Sequence, residues 1–185
     1  MKSQILFIAS VLVSISAWSQ ENMVTLSGGY AFANVDEVDT DATGWRINGL
    51  YEFNPSQGKF AHGLSIGYIG TSADYSNRQS GTVNYKIHSW PIYYAPKFFL
   101  GTGSFKGFIK GALGLHYSRF TRTGGLLDEL KTDDVGIYTG LGAGVMKIFN
   151  EKIFINLEYE WAYMSNSNYN NGMMNSAMLG VGLKF

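Results

Sequence analysis

The chain has 185 residues, no formal net charge and 15% charged residues, where soluble globular domains average about 25%. Zero net charge gives no electrostatic support for a nucleic-acid partner. The absence of Cys excludes disulfides, thiolate metal sites and a lipoprotein anchor. The length is enough for one domain.

The first 19 residues have the pattern of a secretory signal peptide. Lys2 supplies a basic start, residues 5–15 are apolar, and the small residues Ala17 and Ser19 occupy the positions that a signal peptidase inspects. We therefore expect cleavage between Ser19 and Gln20, which leaves a mature domain of residues 20–185. The apolar run is shorter than the roughly 20 residues of a membrane-spanning helix, so we do not interpret it as an anchor.

Eight segments of the mature chain alternate between large apolar residues and small or polar ones, a period of two that is typical of β-strands. They are residues 24–32, 43–53, 60–70, 82–99, 105–118, 134–147, 153–164 and 175–185. Long polar loops alternate with short turns, and the loops are residues 34–42, 71–81, 119–133 and 165–172.

The fourth segment is the least regular, because it contains Pro91 and Pro96. Proline cannot donate a ladder hydrogen bond, so we expect a β-bulge in this strand. We expect Lys97 to face inwards. The side chains expected to face outwards are Trp90, Ile92, Tyr94 and Phe98.

Residues 153–164 show most clearly what the alternation means. One face is large and apolar throughout, from Ile153 to Tyr163, and the other face carries Glu158 and Glu160. A strand between lipid and a polar lumen accommodates both faces. Since unpaired backbone groups in hydrocarbon are too costly, such a sheet must close. The sequence therefore predicts an all-β fold, an eight-stranded antiparallel up-and-down transmembrane β-barrel.

A soluble lipocalin-like barrel is the alternative architecture, with the polar set of side chains in water. That set consists mainly of Gly, Ser, Ala and Asn, whereas designed soluble surfaces carry about 25–35% charged residues. The outward residues Tyr159, Trp161 and Tyr163 also gather near one strand end, where the aromatic belt of a membrane protein lies. Both observations favour the membrane barrel.

Six charged residues fall on the inward faces: Arg46, Glu52, Lys110, Glu158, Glu160 and Lys184. Buried charges persist only when they are paired and hydrogen-bonded. From their depth along the strands we expect Arg46 to pair with Glu160. We expect Lys110 and Lys184 to share Glu52 and Glu158. Such bridges across the lumen would block a continuous water path.

The signal peptide, the strand count, the alternation and the terminal Phe185 make the chain from about Val24 resemble a known family. This is the small eight-stranded outer-membrane β-barrel family of Gram-negative bacteria (OmpA/OmpX-like). The resemblance implies an integral protein of the cell outer membrane, surrounded by outer-membrane lipid. It also implies that Phe185 is an assembly signal read by the barrel assembly machinery during biogenesis. The alternative is that Phe185 is one more aromatic residue of the membrane interface.

The sequence contains no cofactor or metal motif, and it favours a structural or loop-mediated binding or adhesion role over an enzymatic one. It names no partner for the extracellular loops. A narrow channel for small or apolar solutes stays open as an alternative, and so does an outer-membrane lipid hydrolase. For the hydrolase, His116 and Ser118 resemble the His-x-Ser arrangement of eight-stranded lipid A deacylases, with Glu129 as the candidate orienting group. We expect His116 instead to form hydrogen bonds in the lumen.

Overall fold

The structure, a computed structural model, describes residues 21–36, 40–55, 58–77, 81–124 and 129–185. Within these ranges the chain forms nine β-strands in one antiparallel sheet. They are β1 (Glu21–Val35), β2 (Thr40–Asn54), β3 (Phe60–Asn77), β4 (Gly81–Tyr94), β5 (Lys97–Leu100), β6 (Phe105–Gly124), β7 (Leu130–Phe149), β8 (Ile153–Met164) and β9 (Tyr169–Lys184). No helix in the described ranges is long and apolar enough to span a membrane.

The sheet closes on itself because the last strand pairs with the first. Val24 on β1 lies opposite Leu183 on β9. The backbone N–H of Phe185 donates to the carbonyl of Asn22, and the N–H of Asn22 donates to the carbonyl of Phe185, both at 2.9 Å. Closure satisfies the backbone groups of what would otherwise be two open edges. The predicted pairing of the first and last strands is confirmed.

β4 and β5 are two segments of one barrel strand, interrupted at Ala95 and Pro96. Both segments pair with β3 on one side and with β6 on the other, so the ring has the predicted eight positions. The predicted β-bulge is wrong, because the register is the same before and after the interruption. The N–H of Ala95 donates to Gly63, and Pro96 accepts from Gly111, both at 2.8 Å. Lys97 faces inwards and is 1% exposed, as predicted.

The strands of the barrel are strongly staggered. Following opposed residues once around the sheet from Met23 leads back to β1 at Ala33, ten residues further along. Stagger, tilt and diameter are linked in a closed sheet, and outer-membrane barrels tilt their strands by roughly 35–45°. With eight strands, the lumen is narrow enough for side chains to fill it.

The two faces of the sheet differ as the alternation predicted. Large apolar side chains point away from the barrel, for example Leu64 at 62% and Leu141 at 61% exposure. Aromatic residues border this apolar band on the loop side, among them Tyr30, Trp45, Trp90 and Trp161. A continuous apolar band on the outside suits lipid and is not a stable surface in water. The soluble lipocalin-like alternative is therefore excluded.

The strands continue further into the predicted loops than we expected. β6 and β7 have 20 residues each, whereas roughly 9–11 residues cross a bilayer. Outside the membrane the outward residues become polar, as at Lys86 and Arg119, while the inward residues Ile87 and Phe120 stay apolar and buried. The sequence prediction identified strands by their apolar outward residues. It therefore ended β6 and β7 where these residues become polar, at the membrane boundary, and made both strands too short.

Candidate functional site

The middle of the lumen contains a buried ion pair between strands that are not neighbours. The alternation of side chains points Arg46 on β2 and Glu160 on β8 inwards. Arg46 Nη1 lies 2.7 Å from Glu160 Oε1, and both side chains are fully buried. The two strands are therefore linked across the barrel, at the pair that the sequence predicted.

Lys110 on β6 extends this pair into a cluster. Its Nζ lies 2.6 Å from Glu160 Oε2 and also pairs with Glu158, the next inward residue on β8. β7 runs between β6 and β8, and it places Gly142 directly between Lys110 and Glu160. A Cβ atom at Gly142 would lie 3.4 Å from Lys110 Cε, so the missing side chain gives the lysine room to reach β8.

Two tyrosines that the sequence prediction missed complete this cluster. The Arg46 guanidinium donates to the Tyr93 hydroxyl at 2.9 Å and to Ser176 Oγ at 3.0 Å. The hydroxyl of Tyr138 donates to Glu160. The rings of Tyr93 and Tyr138 stack with their centroids 4.8 Å apart. Both tyrosines occupy inward positions in the alternation along their strands, and this was the available signal. They were missed because the prediction paired the charged residues only with one another.

The second predicted pairing is partly wrong. Lys110 pairs with Glu158, as expected. Glu52 instead pairs with Lys97, whose Nζ lies 2.8 Å from its Oε1. The β3 residues that face the lumen at this level, Ala61 and Gly63, are small, so the Lys97 side chain reaches across β3 to β2.

Lys184 does not join the lumen network, so this part of the prediction is also wrong. It lies at the end of β9 and pairs with Glu21 at 3.0 Å, with 30% of its side chain exposed. Its position is opposite Met23, close to the turn end of the barrel. The buried charges of the network are therefore three cations, Arg46, Lys97 and Lys110, and three carboxylates, Glu52, Glu158 and Glu160.

Two apolar clusters fill the lumen on either side of this charged layer. Towards the turns lies a cluster that we call the lower cluster: Met23, Ala61, Phe99, Phe108, Met146 and Phe154. Towards the loops lies a larger upper cluster, which includes Val35, Ile69, Ile87, Phe120, Met164, Tyr169 and Met174. Within the described residues, charged bridges and apolar side chains thus occupy the barrel interior at successive levels.

The residues considered for a lipid hydrolase are not assembled into a catalytic triad. His116 and Ser118 face the lumen, are each 1% exposed, and contact each other at 2.8 Å. The other imidazole nitrogen, Nε2, lies 2.8 Å from the backbone carbonyl of Ser165 rather than from a carboxylate. Glu129 is exposed and pairs with Lys131 at 3.0 Å. The geometry matches the hydrogen-bonding role that we expected for His116.

The remaining predicted residues lie at the two ends of the mature domain. Phe185 points outwards with 66% of its surface exposed, and its backbone closes the barrel against Asn22. Its role as an assembly signal stays a prediction. The cleavage site between Ser19 and Gln20 lies outside the described residues, so it also stays a prediction.

Comparison with known proteins agrees with this architecture. Among solved structures, Neisserial surface protein A is similar, with a TM-score of 0.63 and 17% identity over 89% of this chain and 97% of that chain. The attachment invasion locus protein Ail of Yersinia pestis has a TM-score of 0.55 and 15% identity over 89% and 99% of the two chains. OprG of Pseudomonas aeruginosa has a TM-score of 0.52 and 16% identity over 89% and 95%.

The sequence itself identifies the family, whereas these structural likenesses show the fold. No curated protein matches the chain. Residues 5–185 match the model of the family described as outer membrane protein beta-barrel domain. This match covers nearly the whole chain, including all nine strands. The chain belongs to the outer membrane protein beta-barrel domain family, and it is a protein of the cell outer membrane.

Proposed function

We propose that this protein is a plugged outer-membrane barrel whose role is structural or is exerted by the hairpins that it presents outside the membrane. The observation that carries the proposal is the filled lumen. Three buried cations pair with three buried carboxylates between the lower and upper clusters. Because the buried charges compensate one another, moving one of them out to open a path leaves an uncompensated charge in the barrel, at a cost of several kcal/mol.

The hairpin of β6 and β7 supports a role outside the membrane. Arg119 on β6 binds Asp133 on β7 through two hydrogen bonds of 2.8 and 3.2 Å, and it also donates to the Tyr117 hydroxyl. The hydrogen bonds from Arg119 lower the pKa of the Asp133 carboxyl. This exposed pair ties the two strands together above the membrane, so the hairpin is an ordered support for the loop that it carries.

A narrow channel is the second candidate, and one observation favours it. Thr25 Oγ1, Asn156 Oδ1 and Glu52 Oε2 are buried and have no hydrogen-bond partner among the described residues. Buried polar atoms of this kind are normally satisfied by ordered water. Water in this part of the lumen would provide one segment of a conducting path. The charged layer and the two apolar clusters are the barriers that such a path has to cross.

We also propose two partners, one of the folded barrel in the membrane and one during its assembly. Outer-membrane lipid surrounds the apolar band, and the barrel assembly machinery recognises the C-terminal Phe185. The exposed ring at the end of β9 supports this second interaction, because it is accessible even in the closed barrel.

Complementation of a deletion strain distinguishes the proposed roles. The strain receives either the full chain or a variant in which a short turn replaces residues 119–133. Surface adhesion and resistance to detergent are measured beside uptake of small solutes. If the role is structural, the shortened barrel restores detergent resistance. If the hairpin binds a partner, only the full chain restores adhesion. Restored solute uptake without either effect would contradict the proposal and favour the channel.

A further inference from the structure

A wide irregularity in the pairing of β9 with β1 forms a groove on the outer surface of the barrel. Between the pairs Ala33–Met174 and Val35–Tyr169, β1 advances by two residues and β9 by five. The extra residues of β9 include Asn171, which has a positive φ of 51°. Asn170, Asn171 and Met173 border a groove of about 440 Å³. This volume lies in the range of small-molecule sites.

The polar side of the groove consists of short amide, hydroxyl and carboxylate side chains. They are Asn34, Asp41, Thr43, Asn170, Asn171 and Asn175. With its amide oriented to satisfy its neighbours, Asn34 donates to Asp41 Oδ1 at 2.9 Å, which fixes the two side chains relative to each other. An Asn side chain offers both donors and an acceptor. Such a set matches a ligand whose neighbouring groups each donate and accept, as hydroxyl groups do.

The apolar side of the groove consists of Phe32, Ala33 and Met173, of which Phe32 supplies an aromatic ring. Phe32 lines the groove, and its ring lies 6.2 Å from the ring of Tyr30 and 6.4 Å from that of Tyr159. The Tyr159 hydroxyl donates to Asn175 Oδ1 at 2.9 Å, so the aromatic side is tied to the amide side. The face of an aromatic ring is negative and attracts the weakly positive C–H groups of a flat, partly apolar ligand. A sugar ring has such a C–H face as well as a hydroxyl edge.

The charge of the groove narrows the class of ligand. No Lys, Arg or His is among its described lining residues, which disfavours phosphate or sulfate groups. Asp41 is the sole carboxylate among those residues, whereas a bare Ca²⁺ site uses six to eight oxygen ligands and usually several carboxylates. We propose that this groove binds a neutral pyranose sugar, with the ring on Phe32 and its hydroxyl groups on the surrounding amides and Asp41.

The height of the groove indicates two sources for such a sugar. Thr43 and Asn175 lie directly opposite Phe32. This level is two residues along the strands from the belt residues Tyr30 and Trp45, on the side away from the membrane. The groove therefore opens just above the lipid, within reach of sugar attached to outer-leaflet glycolipid and of free glycans outside the cell. The groove deepens the proposed binding role and rests on it, because it gives that role a second site, on β1, β2 and β9 rather than on the β6–β7 hairpin, and a ligand chemistry.

Saturation-transfer difference NMR on the full mature chain in detergent micelles tests the inference. The probes are lactose, chitotriose and the oligosaccharide of deacylated lipopolysaccharide. We expect transfer to sugar C–H protons for at least one probe. Transfer to the lipopolysaccharide oligosaccharide alone indicates the glycolipid as the source, and transfer to lactose or chitotriose indicates external glycans. No transfer to any probe would overturn the inference.

Variants locate the binding. Phe32→Ala and Asn171→Ala should each weaken the affinity for the bound probe at least tenfold. The matched controls are Phe105→Ala, an exposed aromatic residue at the turn end, and Asn84→Ala, an amide on another hairpin, and both should bind like the parent. Unchanged binding by the two groove variants would overturn the inference, because the sugar would then bind elsewhere. Adhesion that depends on the protein and persists in the Phe32→Ala variant would leave the general binding role intact and overturn the assignment of that role to this groove.

Discussion

Replacing Glu160 with Gln removes one charge from the middle of the lumen and changes its shape very little. In the parent, Glu160 pairs with Arg46 at 2.7 Å and with Lys110 at 2.6 Å, and it accepts a hydrogen bond from Tyr138. In the Glu160→Gln variant Glu158 is the carboxylate that remains near Arg46 and Lys110, and it pairs with Lys110. The lumen then contains an uncompensated positive charge.

The expected effect follows from this pairing. Removing one partner of a buried ion pair costs about 3–5 kcal/mol, because the other charge stays buried without compensation. Lys110 keeps Glu158 as a partner, so Arg46 alone loses its carboxylate. We therefore expect the free energy of unfolding of Glu160→Gln to fall by an amount within that range, not by twice as much.

Urea unfolding in detergent micelles measures this change, followed by tryptophan fluorescence and by the separation of folded and unfolded bands on unheated gels. The control is Glu129→Gln, which removes an exposed carboxylate paired with Lys131 and should leave the stability unchanged. The double variant Arg46→Met with Glu160→Met removes both charges and should be more stable than Glu160→Gln. A Glu160→Gln variant as stable as the parent would refute the reasoning.

Three further predictions concern other parts of the barrel. Lys97→Met should lower the free energy of unfolding by about 3–5 kcal/mol, since it leaves a buried carboxylate unpaired, whereas Lys184→Met should have no measurable effect; equal effects in urea unfolding would contradict the assigned pairs. Deleting Phe185 should leave unfolded chain in the periplasm although the same variant refolds in detergent, and equal folding in both settings would leave only a packing role. In NMR titrations the Asp133 carboxyl should titrate below the usual value of about 3.9 and return towards it in Arg119→Gln. Because the folded pKa is lowered, the stabilisation from this pair is present above pH 3.9 and is lost as the pH falls through the folded pKa; an unchanged titration in the variant would refute the role of the hydrogen bonds.

The period of two was sufficient to predict which side chains face the lumen. It placed Arg46, Lys110, Glu158 and Glu160 inside, and a simple estimate of depth along each strand paired Arg46 with Glu160. This pair was predictable because both residues lie well inside their strands, where an error of one or two residues in the strand ends does not change their level. The apolar outer face was predictable because the same alternation recurs on every strand.

The pairing of Glu52 was not predictable in the same way. It depends on which side chains lie between β2 and β5, and on a stagger that sequence alone does not define. The small residues Ala61 and Gly63 on β3 leave space for the Lys97 side chain to reach Glu52. Lys184 lies near the end of the chain, opposite Met23, and is therefore outside the lumen network. The length of the hairpins was also missed, because above the membrane the outward side chains become polar while strand pairing continues.

Single-channel recording in planar lipid bilayers tests the central claim, that the lumen of the barrel is blocked by paired charges between two apolar clusters. Purified, folded protein is inserted and the current is recorded at constant voltage, with a detergent blank as control. We expect no steady conductance for the parent protein, because the bridges from Arg46 and Lys110 to the β8 carboxylates cross the lumen. A steady, large conductance in the parent would contradict a blocked lumen.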